Sequence, residues 1–76
     1  MNLKEIDTLG LIAALMSKGY SPLERRKDGK RVFFIFETDE EFDRLCDDYY
    51  NSRLDVDAQL FTATLKSVKA SIYKMK

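Results

Sequence analysis

The sequence predicts an α+β fold: a single small domain, residues 1–76, in which an antiparallel β-hairpin is packed by three helices in the order α–β–β–α–α. Three observations carry that prediction. Tyr20–Phe36, YSPLERRKDGKRVFFIF, places Asp28-Gly29 between two extended runs, and both residues tolerate the positive φ that primed hairpin turns need. Apolar residues recur at helical spacing before the hairpin (Leu9, Ile12, Ala13, Met16) and after it (Phe42, Leu45, Cys46, Tyr49). A third stripe, Phe61, Leu65, Val68, Ile72 and Met75, falls within one narrow helical arc near the C-terminus.

In chain order, residues 1–6 read as a short lead-in with Leu3 and Ile6 as its apolar members. The first helix is expected over Thr8–Lys18, with Asp7 or Thr8 as N-cap. Leu11 and Leu15 widen its stripe to more than half the circumference, so it should touch more than one neighbour. Gly19 stops it as a left-handed residue, and Tyr20 supplies the hydrophobic contact of a Schellman motif. Gly10 weakens the helix, and a close approach of the hairpin would account for it.

The hairpin register stays open between a two-residue loop, Asp28-Gly29, and a three-residue loop, Lys27-Asp28-Gly29. Both set like charges opposite one another among Arg25, Arg26, Lys27, Lys30 and Arg31, which costs stability. Pro22 has no N–H, so the first strand should be an edge. The second strand, Val32–Phe36, is apolar at every position, so both of its faces should be covered. Its outer edge has no assured neighbour in the chain; Leu3–Ile6 and Leu54–Val56 are the internal candidates.

Thr38-Asp39-Glu40-Glu41 fits a capping box opening the second helix, with Thr38 as cap and Glu41 reaching back. The acids around it complement the positive helix end. Asn51-Ser52-Arg53 breaks the helix, Leu54-Asp55-Val56 is an extended link, and the third helix runs from an Asp55 or Asp57 cap to about Tyr73. Leu15, Phe34, Phe42, Leu45, Leu65, Val68 and Ile72 are the expected core.

The chemistry is defined chiefly by what the chain lacks. There is no histidine and one cysteine, Cys46, placed mid-stripe as a small buried hydrophobe. Histidine-based triads and zinc sites therefore have no parts, and no phosphate-binding glycine loop occurs. Asp43 and Asp47, one helical turn apart, sit on a solvent face and read as solvated carboxylates, not as a general acid/base pair. No catalytic residue, cofactor or metal is expected. No apolar run reaches the ~20 residues of a membrane span, and MNLKEID has no signal-peptide core, so a cytoplasmic location is expected. Thirteen basic and thirteen acidic residues give a formal net charge of zero, which argues against bulk attraction to nucleic acid. The charges are nevertheless segregated: a basic hairpin, an acidic 37–48 segment, and a C-terminal run with Lys66, Lys69, Lys74 and Lys76 and no acid.

GLIAALMSKGY, LERRKDGKRVFFIFET and YYNSRLDVDAQLF together resemble a family of small uncharacterised domains from bacteria, phages and mobile elements. The resemblance spans about residues 7–73 and rests on the Gly-Tyr after helix one, the basic Asp-Gly hairpin and the Val/Phe-rich strand. It implies an α–β–β–α–α protein of a bacterial or phage cytoplasm, and no activity.

Two functional classes follow. The preferred one is a non-catalytic interaction module that binds a partner protein or itself. Its candidate surface is Arg25, Arg26, Lys27, Lys30, Arg31, Phe33 and Ile35, with a homodimer formed by pairing second strands edge to edge. The alternative is a nucleic-acid accessory protein using the basic hairpin tip, with Lys66, Lys69 and Tyr73 adding a second patch.

Overall fold

A computed structural model describes residues 2–75. The class is α+β as expected, but the order is β–α–β–β–α–α: β1 (Asn2–Ile6), α1 (Leu9–Ser17), β2 (Glu24–Asp28), β3 (Arg31–Thr38), α2 (Glu40–Tyr50) and α3 (Ala58–Met75). The lead-in is thus a strand, and the hairpin is part of a three-stranded antiparallel sheet ordered β1-β3-β2. β1 pairs with the C-terminal part of β3, from Asn2 opposite Thr38 to Ile6 opposite Phe34.

This corrects the expectation of a free outer edge on the second strand. β3 is the central strand, hydrogen-bonded on both sides, so edge-to-edge pairing of two β3 strands has no edge to use. The physical reason is a long-range pairing: a strand apolar on both faces is stabilised most in the middle of the sheet, and β1 folds back antiparallel to β3 to place it there. β2, following Pro22, is an edge strand as expected.

The hairpin turn lies one residue later than either expected register. Asp28 pairs with Arg31, leaving Gly29-Lys30 as the two-residue loop. Gly29 has φ +62°, and Lys30 is not among the positive-φ residues. A loop of this type II′ kind needs positive φ only at its first position, and glycine takes it without strain. The shift removes the like-charge pairs: Arg26 now faces Phe33, Lys27 faces Val32, and Asp28 faces Arg31.

The helices cover one face of the sheet. Ile6, Val32, Phe34 and Phe36 join Leu11, Ile12, Leu15, Phe42, Leu45, Cys46 and Val68 in one buried cluster. α1 is buried at five consecutive positions, Leu11–Leu15, because α2, α3 and the sheet surround it. Gly10 does make room for a neighbour, but for α2 rather than the hairpin: a Cβ there would collide with the Tyr49 hydroxyl. α1 ends in the expected Schellman motif, with Tyr20 N–H donating to the Leu15 carbonyl at 3.1 Å and Gly19 N–H to that of Met16 at 3.1 Å.

The cap of α2 is Asp39, not Thr38. Its carboxylate accepts from Phe42 N–H at 2.7 Å and from the Tyr20 hydroxyl at 2.9 Å. Thr38 is held instead as the last residue of β3, its hydroxyl donating to the Asn2 carbonyl at 3.3 Å. Asp57 caps α3, accepting from Leu60 N–H at 2.8 Å. Of the expected core, Leu15, Phe34, Phe42, Leu45 and Val68 are buried, whereas Leu65 and Ile72 are only partly so. α3 lies along α1 at the margin of the layer, so one side of its stripe stays open.

Candidate interaction surface

Strand alternation divides the hairpin residues between the two faces of the sheet. Arg25 and Lys27 lie opposite Phe34 and Val32 and so share the helix-covered side. Arg26 and Phe33 lie on the other side, with Ile35 and its cross-strand partners Glu5 and Glu24. The seven residues expected to form one surface therefore form two.

On the open face the arginines are paired. Arg26 on β2 and Glu5 on β1 arch over the central strand: Arg26 Nε donates to Glu5 Oε1 at 3.2 Å and Nη2 to Oε2 at 2.8 Å. The same guanidinium lies 4.9 Å from the Phe33 ring centroid and 3.7 Å from Asp28. The Glu5 bond leads the contacts that push the Arg26 pKa up, fixing its charge. Arg31 pairs with Asp7 at 3.3 Å. Ile35, expected to face outward for a partner, is 6% exposed, and Phe33 is part-buried. Both belong to the fold's own closure. Glu5 and Asp7, which complete this roof, were not among the expected site residues.

On the helix-covered side the edge of β2 is different. All five of its residues are exposed, and its outer edge has no strand beside it. Between this edge and α3 runs a groove of about 580 Å³. Phe34, Val68, Met16, Met75 and Leu23 supply apolar lining, Ser67 and Ser71 stand on the α3 wall, and Glu24 and Arg25 on the strand wall. Leu23 is 59% exposed, the open end of this apolar strip. Among the described residues, no ion pair holds Arg25, Lys27 or Lys30.

The second expected basic patch does not join the first. Ser67 and Ser71 face the groove, and at about 100° per residue Lys69 and Tyr73 lie on the far flank of α3. Cys46 is buried in the core with its thiol pKa pushed up by desolvation, which suppresses the reactive thiolate. Asp43 and Asp47 are exposed. Among the described residues no group of three His, Cys, Asp or Glu side chains could hold a metal, and no helix is long and apolar enough to cross a membrane.

The groove was missed because Leu23, Ser67, Ser71 and Met75 come from separate parts of the chain. The only local signal was an apolar Leu23 between Pro22 and a run of charges.

The chain belongs to a family described as a domain of unknown function (DUF5659), whose model matches residues 1–74 and so takes in β1 as well as the hairpin and helices. No curated protein matches the chain, and no solved structure does.

Proposed function

We propose that this member of the family is a small non-catalytic interaction module that docks a partner protein on the groove between β2 and α3. The observation that carries the proposal is the coincidence of an unpaired strand edge with an apolar groove directly beside it. An exposed edge is a ready template for another chain, and strand addition gains main-chain hydrogen bonds while a neighbouring pocket selects side chains. The bacterial, phage or mobile-element cytoplasm implied by the resemblance is the setting we assign to it, as an accessory protein.

The nucleic-acid reading is less well supported. Arg26 and Arg31 are already paired with Glu5, Asp28 and Asp7, and Lys66 and Lys69 lie on flanks of α3 turned away from the groove, so few cations are left to track one phosphate backbone.

Selection of displayed random peptides on the immobilised chain tests the docking role. Binders are expected whose retention is lost on Leu23→Asp, a change at an exposed position that leaves the core intact. A selection that yields no binder, or only binders indifferent to Leu23→Asp, contradicts the reading.

A further inference from the structure

We infer that the occupant of the β2 edge is an extended segment of a different protein, with acidic residues at two alternate positions and an apolar residue two positions further toward Leu23. The inference rests on the docking role proposed for the groove and specifies what docks there.

The first step is to ask whether a second copy of this chain could be the occupant. Two β2 strands aligned antiparallel about Arg26 would place Glu24 opposite Asp28, Arg25 opposite Lys27, and Arg26 opposite itself. Parallel in-register pairing sets every residue against its own kind. Like charges directly opposite across a strand pair are destabilising, so in these two alignments the ERRKD edge repels its own copy, a common defence of edge strands. The same charges select a complementary strand.

The second step follows the pleat. A strand laid on the β2 edge continues the alternation, so its residues opposite Arg25 and Lys27 lie on the helix-covered side. Arg25 and Lys27 have no ion pair among the described residues, and Lys30 stands in the turn beyond them. Glu24, Arg26 and Asp28 point to the other face, where Arg26 is saturated by Glu5 and Asp28. The side of the edge that meets the groove is therefore net cationic at Arg25 and Lys27, although Glu24 lines one end of it. Opposite-charge cross-strand pairs there are stabilising.

The third step is the groove itself. Leu23, at the bend just before β2, opens onto the strip formed by Phe34, Val68, Met16 and Met75. A partner residue opposite Leu23 would lay an apolar side chain on that strip. An antiparallel partner then reads acidic–x–acidic–x–apolar from its N-terminus. The apolar floor separates this site from one built for phosphates alone.

The test is amide chemical-shift mapping on the isotopically labelled full chain with synthetic peptides. One carries Glu-Thr-Glu-Thr-Leu at its centre; a second replaces both Glu by Lys; a third keeps Glu and Leu but is N-methylated at alternate amides. Saturable shifts at Leu23–Asp28, Ser67 and Ser71 are expected with the first peptide. The second and third should bind at least about tenfold more weakly, and added salt should weaken the first. Equal binding of the Lys or N-methylated peptide would overturn the acidic strand while leaving groove docking in place, since displayed peptides sensitive to Leu23→Asp would still be recovered. Shifts at Arg25, Lys27 and Lys30 with single-stranded or duplex DNA, and none with the Glu peptide, would overturn it in favour of phosphate binding. No groove shift with the Glu peptide at millimolar concentration would also overturn it.

Discussion

The two faces of β3 are closed by different means. Toward the helices, Val32, Phe34 and Phe36 enter a wholly apolar cluster with Ile12, Leu15, Phe42 and Val68. On the other face no helix is needed. Arg26 and Glu5, on the two outer strands, meet above Phe33 and Ile35 and cover them with side-chain stems and a bidentate ion pair. Full burial of one Phe contributes about 1.5–3 kcal/mol, whereas exposed ion pairs contribute about 0–1. The helix face therefore holds the fold, and the ion pair of the open face adds little to it. Of the sheet's two outer edges, β1 and β2, the β2 edge is the one beside the groove: the hairpin cations consumed by the roof are Arg26 and Arg31, and those without an ion pair among the described residues are Arg25, Lys27 and Lys30.

The strongest way to break this comparison is to truncate one residue on each face. Phe36→Ala, on the helix face at 0% exposure, should cost about 3–5 kcal/mol. A chain of this length has roughly 4–11 kcal/mol in all, so this variant should be close to unfolding. Phe33→Ala should cost about 1–2 kcal/mol, in keeping with its partial burial, and Arg26→Ala less again, with a loss that shrinks in high salt. Denaturant titration checks the ranking; equal losses for Phe33 and Phe36 would mean that the open face carries as much of the fold as the helix face.

A smaller effect sharpens the helix side. Desolvation, then the bond to Asp39, pushes the Tyr20 pKa up to about 12 from 10.0. The unfolded tyrosine ionises first, so stability should fall as pH rises from about 10 toward 12. Asp39 is shifted the other way, chiefly by Phe42 N–H and then by Tyr20, so its contribution should be lost as pH falls below about 4. Tyr20→Phe should flatten the alkaline slope and Asp39→Asn the acid one. A slope unchanged by its own variant would remove that group from the account.

Much of this was legible in the sequence because it was locally encoded. Gly19-Tyr20 specified a helix end, the Phe42–Leu45–Cys46–Tyr49 spacing a helix face, and Pro22 an edge strand, each by a short-range rule. What was not legible depended on distant residues. Asn2–Ile6 has no clean alternation, and only pairing with β3 makes it a strand. The hairpin register was decided by where Asp28 and Arg26 find partners, Arg31, Phe33 and Glu5, rather than by the turn residues alone. Thr38 lost the cap to Asp39 because β1 needed it in the sheet. The candidate surface was half visible: the cations stand out in the sequence, but their division between two faces follows from a register that local turn chemistry left open.

Amide hydrogen exchange of the isolated chain tests the central claim, that β3 is enclosed and the β2 edge is free. Amides from Phe33 to Phe36 should all be slow, because there β3 is bonded alternately to β2 on one side and β1 on the other. In β2, alternate amides between Glu24 and Asp28 should be slow and fast in turn, the fast ones facing outward. Fast exchange at every second residue of β3 would contradict the enclosed strand, and uniform protection along β2 without a partner would show that its edge is already taken.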